Sequence, residues 1–265
     1  MKPASRMGRG SAGGPAFGEV IEPASTPATA ATLPYEPGEG PLAEGTRVGD
    51  FRIRGLLGEG AMGEVYLAQD LTLGRRVALK LFKRSVVQDD VAERFLEEAR
   101  ATASFNHPHI VTLHAVGEHL GRPYLALEYI DGESLRARLA AGPLPVREAL
   151  RHGRAVADAI AEAHRRGLVH ADLKPENVVI SRDGRVRVVD FGLARLAGGA
   201  ATSGSGTPAY MAPERWRNAA PTGAIDVWAL GMMLHELVTC RRPFSDEVLG
   251  GLAFSSEPVE LPIEL

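Results

Sequence analysis

The sequence predicts an α+β fold in which a small, antiparallel β-rich lobe is followed by a larger lobe made mostly of helices. Short apolar runs with alternating polarity and tight turns between residues 51 and 82 favour an antiparallel meander. One amphipathic helix is expected at residues 89–104, where apolar side chains recur at helical spacing. Helical patterns dominate after residue 131, and no segment of the chain repeats another.

The β-rich lobe contains five predicted strands, which are rich in apolar and β-branched residues. They lie near residues 51–57, 65–67, 77–82, 113–116 and 124–129. The predicted helix begins at Asp89, whose side chain can cap the first turn. Its apolar positions are Val91, Phe95, Ala99 and Ala103. Three strands therefore precede this helix, and two follow it.

The larger lobe is predicted to hold a short helix at 134–140, a long helix at 145–166 and an apolar, buried helix at 224–239. Pro145 suits the first turn of the long helix, and Gly167 suits its C-terminal end. The positions of the long helix that we expect to face inward are Val146, Leu150, Val156, Ile160 and Ala163. Two short strands, at 178–180 and 185–189, flank a turn between these helices.

Residues 1–46 differ in composition from the rest of the chain. They are dense in Pro, Gly, Ala, Ser and Thr, contain only the aromatic residues Phe17 and Tyr35, and show no periodicity. Such a segment cannot bury enough apolar area to offset the entropy lost on ordering. We interpret it as a disordered tail that precedes a folded domain at residues 47–265.

Composition excludes several classes of protein. The net charge of −3 at pH 7 excludes a chain-wide basic field of the kind that binds nucleic acid. The single cysteine, Cys240, excludes an intrachain disulfide and favours a reducing compartment. No apolar run approaches the length of a membrane span, and the N-terminus lacks the apolar core of a signal peptide. We therefore expect a cytoplasmic chain with no nucleic-acid partner and no membrane span.

A glycine-rich motif, G-x-G-x-x-G-x-V, runs from Gly58 to Val65. Glycines let backbone amides approach phosphate groups closely. In a dinucleotide-binding fold a helix would open at the third glycine, but here Gly63 is followed by a predicted strand. The motif therefore favours a hairpin that covers the phosphates of a nucleotide.

Lys80 lies at the centre of the third predicted strand, in a chain with only four lysines among its 30 Lys and Arg residues. An exposed strand lysine is one interpretation, and an ammonium group that holds nucleotide phosphates is the other. The second requires a carboxylate partner, for which the predicted helix offers Glu97 and Glu98. We choose Glu98, because it shares a helix face with Phe95.

A second cluster of polar residues spans residues 170–177 and continues at Asp190-Phe191-Gly192. Asp172 can accept a hydroxyl proton, and Lys174 can approach a γ-phosphate. Asn177 and Asp190 offer the oxygen ligands that Mg²⁺ prefers. In this order the residues form a set suited to phosphoryl transfer.

These motifs together resemble the protein kinase family, and in particular the eukaryotic-like Ser/Thr kinases of bacteria. The resemblance runs from about residue 51 to residue 244 and includes segments 106–111, 206–214 and 226–231. It implies a two-lobed protein-kinase-like fold with an N-lobe at about 47–127, a hinge at 128–131 and a C-lobe at 132–265. It also implies that helix 224–239 supports the loop that carries Asp172, and that His170 packs against Phe191.

The resemblance assigns roles to the polar residues. It implies that Asp172 accepts the substrate proton, Lys174 steadies the γ-phosphate, and Lys80 pairs with Glu98. Asn177 and Asp190 would hold Mg²⁺, with Mn²⁺ as a substitute. Glu128, Tyr129 and Ile130 would form the hinge that binds adenine through its backbone, with Leu127 behind it. The residues implied to contact ATP are Gly58, Glu59, Gly60, Ala61, Gly63, Val65, Ala78, Lys80, Glu128, Ile130 and Val179.

The implied partners are proteins that carry Ser or Thr acceptors, because Lys174 and Thr207 match the Ser/Thr rather than the Tyr pattern. Autophosphorylation is expected at Thr202, Ser203, Ser205 or Thr207.

The chain departs from the family pattern at two places. Ala171 replaces the arginine that in many kinases meets a phosphate on the activation loop, so we expect loop phosphorylation to activate little. After residue 244 only residues 245–265 remain, and 257–262 are expected to be loop, so we expect the further C-terminal helices of the family to be missing, including the one that would supply an arginine partner for Glu214. The missing helices leave a truncated or degenerate nucleotide-binding pseudokinase or interaction module as one alternative. A small-molecule phosphotransferase, which shares the loop with His170, Asp172 and Asn177, is the other, although segment 206–214 resembles a peptide-accepting loop.

Overall fold

The computed structural model describes residues 40–84, 106–191, 208–217 and 219–252, all of which belong to one compact unit. Several predicted features lie outside these residues. They are most of the tail, helix 89–104 with Glu97 and Glu98, Gly192, and the proposed phosphorylation sites Thr202, Ser203, Ser205 and Thr207.

A six-stranded antiparallel sheet forms the first lobe, with strand order β1-β2-β3-β4-β6-β5. Its strands are β1 (Arg47–Val48), β2 (Phe51–Gly60), β3 (Gly63–Asp70), β4 (Arg76–Phe82), β5 (Leu113–His119) and β6 (Arg122–Glu128). The predicted meander of three strands corresponds to β2, β3 and β4, and the two later strands correspond to β5 and β6. The prediction of an antiparallel β-rich lobe is therefore confirmed.

The sheet has two faces with different roles. Residues directly opposite one another in antiparallel strands share a face, and neighbours along a strand alternate. We call the face that carries Lys80 the front face and the other the back face. The back face buries a cluster that includes Tyr66, Leu79 and Leu81. The front face carries Phe82 and Leu125, which pack in a second cluster.

The segment before β1 packs on this sheet. The backbone N–H of Leu42 donates to the hydroxyl of Tyr66 at 2.9 Å, and the N–H of Gly45 donates to the carbonyl of Ile53 at 2.9 Å. Leu42 also packs against the back-face cluster. The packed region therefore begins before residue 47.

The second lobe contains five helices and a three-stranded sheet among the described residues. The helices are α1 (Leu135–Leu139), α2 (Val146–Arg165), α3 (Pro213–Trp216), α4 (Gly223–Thr239) and α5 (Asp246–Leu252). The strands are β7 (Gly132–Ser134), β8 (Val178–Ser181) and β9 (Val186–Val188), in the order β7-β8-β9. One apolar core joins α1, α2, α4, Leu249 of α5 and this small sheet. Helix α5 lies in the C-terminal segment where no helix was predicted, so for residues 246–252 that prediction was wrong.

Helix α2 buries only part of the face that was predicted. Val156, Ile160 and Ala163 are buried as expected, but Val146 and Leu150 are 59% and 60% exposed. The reason is the close approach of α4, since a Cβ added at Gly153 would lie 2.4 Å from Leu234 Cδ2. The helix therefore turns its small residues toward α4, and the prediction for the first two positions was wrong.

Candidate active site

The glycine-rich motif forms the hairpin between β2 and β3. Gly60 pairs with Gly63, and Glu59 pairs with Glu64. Gly63 has a φ of 149°, and a Cβ at this position would lie 2.0 Å from the carbonyl oxygen of Leu81. Only glycine fits there without displacing β4. A strand follows the third glycine, so the predicted hairpin is confirmed.

Lys80 is buried at the centre of β4, with only 7% of its surface exposed. Val65 of the glycine-rich motif lies directly opposite on β3. The ammonium nitrogen of Lys80 lies 2.8 Å from Oδ2 of Asp190 and 5.6 Å from the ring centre of Phe82. The interpretation of Lys80 as an exposed strand lysine is therefore wrong, and its described carboxylate partner is Asp190.

The residues at 170–177 form a compact polar loop. Lys174 Nζ lies 2.7 Å from Asp172 Oδ2. The side-chain amide nitrogen of Asn177 donates to the backbone carbonyl of Asp172 at 2.8 Å and to its carboxylate at 3.2 Å. Three of the predicted site residues thus share one hydrogen-bonded cluster.

A buried carboxylate on α4 accepts hydrogen bonds from the backbone of this loop. Asp226 is 1% exposed and accepts hydrogen bonds from the backbone N–H groups of His170, at 2.8 Å, and Ala171, at 2.9 Å. Nε2 of His164 lies 2.8 Å from the same carboxylate. The sequence assigned the supporting role to the helix as a whole, and the structure identifies Asp226 as its residue that contacts the loop, with His164 of α2 as a further partner of Asp226.

The backbone on either side of the site is strained. Ala171 and Asp190 both have a φ of 64°, in the left-handed region that non-glycine residues rarely adopt. Such conformations cost about 1–3 kcal/mol each and persist where surrounding contacts enforce them. For Ala171, the hydrogen bond to Asp226 is one such contact.

His170 links this loop to Asp190-Phe191. Its ring centre lies 4.7 Å from that of Phe191, and its Nε2 donates to the carbonyl of Val189 at 2.9 Å. Its Nδ1 accepts from the N–H of Asp172 at 3.3 Å. These partners fit a neutral imidazole with its proton on Nε2. The predicted packing of His170 on Phe191 is confirmed.

Asn177 and Asp190 are suited to hold a hard cation. The N–H of Val189, next to Asp190, donates to the carbonyl of Asn177 at 2.9 Å, which brings the two side chains to the same end of β9. Because the amide nitrogen of Asn177 donates to Asp172, its amide oxygen remains available as a ligand. No group of three or more His, Cys, Asp or Glu suited to a metal occurs within the described ranges. A sparse oxygen set of this kind fits Mg²⁺, which commonly takes its other ligands from phosphates and water.

The hinge region joins the two lobes at the end of β6. The N–H of Glu128 donates to the carbonyl of Thr112 at 2.8 Å, and its carboxylate approaches the guanidinium of Arg187 at 3.4 Å. Ala78 and Ile130 pack against the front-face cluster, which includes the buried Leu127. Val179 lies on β8 opposite Ser134 and Arg187.

A second network, which sequence reasoning missed, lies beside the loop. Arg136 of α1 forms 2.7 Å contacts with Glu176 of the loop and Glu236 of α4, and it also contacts the hydroxyl of Tyr210. Tyr210 donates to Glu236 as well. Burial, followed by this hydrogen bond to Glu236, raises the pKa of the Tyr210 hydroxyl. The network connects segment 208–210 to the loop at 170–177. The only signal of this network in the sequence is that Glu176 lies in the segment 170–177 and Tyr210 in the segment 206–214.

Glu214 is the second residue of α3, directly after Pro213, and is half-buried. Its carbonyl accepts from the N–H groups of Arg217 and Ala219. Its carboxylate forms no ion pair with any residue in the described part of the chain.

Comparison with known proteins gives one consistent match. A family model described as "Protein kinase domain" matches residues 51–251. A probable serine/threonine-protein kinase pknA2 from Bifidobacterium longum is 39% identical over 81% of this chain and 30% of its own length. Serine/threonine-protein kinase PrkC from Bacillus subtilis is 36% identical over 81% of this chain and 34% of its own length.

A solved structure agrees with these relatives. The kinase domain of PknI from Mycobacterium tuberculosis superposes with a TM-score of 0.67 at 32% identity, covering 84% of this chain and 83% of that one. The present chain spans about a third of the length of the two curated relatives above. In the part that the structure describes, no helix is long and apolar enough to cross a membrane.

Proposed function

The chain belongs to the protein kinase family, and we propose that it transfers the γ-phosphoryl group of ATP to Ser or Thr hydroxyls of proteins. The observation that carries this proposal is the convergence of the buried Lys80 with Asp190, beside the cluster of Asp172, Lys174 and Asn177. Phosphoryl transfer depends mostly on positioning and charge neutralisation, which this arrangement supplies.

Each polar group has a defined part in this proposal. Lys80 and the glycine-rich hairpin would hold the phosphates of ATP, while the apolar surface around Ala78 and Ile130 would receive adenine. Asp172 would accept the proton of the attacking hydroxyl, and Lys174, already 2.7 Å from Asp172, would contact the γ-phosphoryl oxygens. The remaining residues of the proposed ATP contact are Glu59, Ala61, Glu128 and Val179.

Asn177 and Asp190 would hold Mg²⁺, or Mn²⁺ in its place. When bound, such a cation neutralises charge on the phosphate oxygens and orients them for in-line attack. The 2.8 Å contact between Lys80 and Asp190 keeps the proposed metal ligand next to the proposed phosphate ligand. Glu98, in the helix predicted at residues 89–104, remains our proposed partner of Lys80.

Transfer of labelled phosphate tests the proposal. Purified protein is incubated with γ-labelled ATP, Mg²⁺ and a generic basic protein, with Asp172→Asn as the matched control. We expect label in the substrate or in the chain itself with the wild type and a loss of at least about a hundredfold with the variant. A thermal shift with MgATP but no transfer above the control would instead favour a nucleotide-binding pseudokinase.

The substrate class and location are also part of the proposal. Phosphopeptide mapping should find autophosphorylation at Thr202, Ser203, Ser205 or Thr207, and label confined to other positions would contradict that assignment. The single cysteine and the proposed use of ATP favour the cytoplasm. Recovery of the native protein solely from a membrane fraction would contradict a cytoplasmic location.

A further inference from the structure

A buried ion pair lies behind the glycine-rich hairpin, outside the proposed catalytic set. Glu64 and Arg122 are only 2% and 3% exposed, and Nη2 of Arg122 donates directly to Oε2 of Glu64. Nε of Arg122 also donates to the carbonyl of Phe82 at 2.9 Å. Burial of two opposite charges is costly, so a pair of this kind requires close geometry and additional hydrogen bonds.

The pair crosses the sheet on its back face. Glu64 lies opposite Leu81, and Leu81 lies opposite Tyr124, which is two residues from Arg122 on β6. Lys80 projects from the front face, on the other side of the same strand. The carboxylate and guanidinium therefore cannot reach a nucleotide held by Lys80, and any effect on it must pass through the backbone.

The pair nevertheless acts at the point where the hairpin joins the sheet. Glu64 directly follows Gly63, whose Cα already lies against Leu81, and the N–H of Lys83 donates to the carbonyl of Met62 at 3.0 Å. Arg122 bridges β3 to β6 across the end of β4 and holds the Phe82 carbonyl beside Gly63. These contacts fix the second arm of the hairpin relative to β4, the strand that carries Lys80.

We propose that Glu64 and Arg122 are positioning residues: they fix the distance between the glycine-rich hairpin and Lys80 and thereby determine the affinity for ATP. This inference rests on the proposed function, because it assigns the hairpin to ATP. It predicts that loss of the pair raises the Kd and KM for MgATP and changes kcat at saturating MgATP much less. The KM for a protein substrate should stay constant.

The test uses three variants of the full chain: Glu64→Gln, Arg122→Met and the double variant Glu64→Leu/Arg122→Met. Each single variant should raise the Kd and KM for MgATP about tenfold and lower the melting temperature, because it removes one member of the buried ion pair and leaves the other charge buried. The double apolar variant should regain most of the melting temperature, since it removes both charges. Its Kd for MgATP should remain raised, since the bridge to β6 is still absent.

Leu79→Ala is the matched control, because Leu79 is fully buried on the same back face of β4. It should lower the melting temperature and leave the Kd for MgATP within about twofold of the wild type. The inference is overturned if the double variant regains wild-type affinity together with its stability, or if Leu79→Ala raises the Kd as much as Arg122→Met. If the wild type binds MgATP but transfers no phosphate, the proposed function fails, and the Kd comparison still decides this inference.

Discussion

Lys80 and Asp172 lie in two regions of the molecule that hold their side chains in different ways. Lys80 occupies the middle of a regular strand, where neighbouring strands on both sides fix its position. Asp172 lies in a loop whose backbone includes a left-handed residue, Ala171, and whose support comes from Asp226, about fifty residues later in the chain. The first region depends on local regularity, and the second depends on a buried polar contact from a distant helix.

This difference predicts how each region responds to amino-acid substitutions. Backbone hydrogen bonds to the strands on both sides hold a residue such as Lys80 in place. We therefore expect a substitution of its side chain to change catalysis more than folding. The loop at 170–177 instead depends on the hydrogen bonds that Asp226 accepts from its backbone. We therefore expect substitutions that disturb these bonds to affect folding and catalysis together.

Asp190→Ala should remove the contact to Lys80 and one proposed metal ligand. We expect kcat/KM for phosphoryl transfer to fall by about a thousandfold or more, because charge neutralisation at the phosphates is lost. The sheet should remain folded, because no strand pairing depends on this side chain. Steady-state kinetics and circular dichroism check both parts, and residual activity within tenfold of the wild type would contradict the assigned role.

Asp226→Ala should disturb both folding and activity. It leaves the buried N–H group of His170 and the partly buried N–H group of Ala171 without this acceptor, and we expect a loss of about 3–5 kcal/mol in the free energy of unfolding. Denaturant unfolding measures this loss. Val227→Ala, at the adjacent but largely exposed position, is the control and should change stability little. Equal effects of the two substitutions would show that Asp226 has no special part in supporting the loop.

Gly63→Ala should displace the hairpin from β4. The added Cβ would meet the carbonyl of Leu81 at 2.0 Å, so we expect a loss of more than about 2 kcal/mol in unfolding free energy and a raised KM for ATP. Gly55→Ala serves as the control, because a Cβ there meets no atom within 4 Å. A stable Gly63→Ala variant with wild-type KM would argue against the tight approach of these two strands.

The pH dependence of unfolding tests how much the Asp70 carboxylate contributes to the stability of the sheet. Hydrogen bonds from the backbone N–H groups of Leu73 and Thr72, together with Arg75, hold the pKa of the Asp70 carboxyl below its ordinary value of 3.8. A lowered folded-state pKa stabilises the fold above the unfolded-state pKa, and the gain disappears as pH falls through the folded-state value.

Asp70→Asn should therefore be less stable than the wild type at pH 7, and the difference should shrink steadily as the pH falls below about 4. Thermal unfolding of the two proteins across this pH range measures the difference. A stability gap that stays constant down to the lowest pH would show that the ionised carboxylate is not what stabilises this turn.

The smallest expected effect concerns loop phosphorylation. Because Ala171 replaces the arginine that would receive a loop phosphate, phosphorylation of Thr202, Ser203, Ser205 or Thr207 should change activity by less than about threefold. Rates before and after autophosphorylation, compared with Ser/Thr→Ala variants, measure this. A strong gain that the alanine variants abolish would refute the expectation.

The sequence predicted the strands of the sheet well, because short apolar runs separated by tight turns are a local property of the chain. It also identified Lys80, Asp172, Lys174, Asn177 and Asp190 as a group, because their order and spacing match one chemistry.

Features that depend on tertiary contacts escaped prediction. The outward direction of Val146 and Leu150 follows from the close approach of α4 at Gly153, which periodicity along one helix does not contain. The Arg136 network and the Glu64–Arg122 pair join residues far apart in the chain, and each member alone reads as an ordinary surface charge. Such pairs can be identified only from the three-dimensional structure, in which the strands and helices are in contact.

Phosphoryl transfer followed by identification of the acceptor tests the central claim most directly. Wild type and Asp172→Asn are incubated with γ-labelled ATP and Mg²⁺, and the labelled protein is hydrolysed to separate phosphoserine, phosphothreonine and phosphotyrosine. We predict label on serine or threonine with the wild type and a loss of at least about a hundredfold with the variant. Equal labelling by both proteins, label on tyrosine alone, or no label despite MgATP binding would contradict the proposed function.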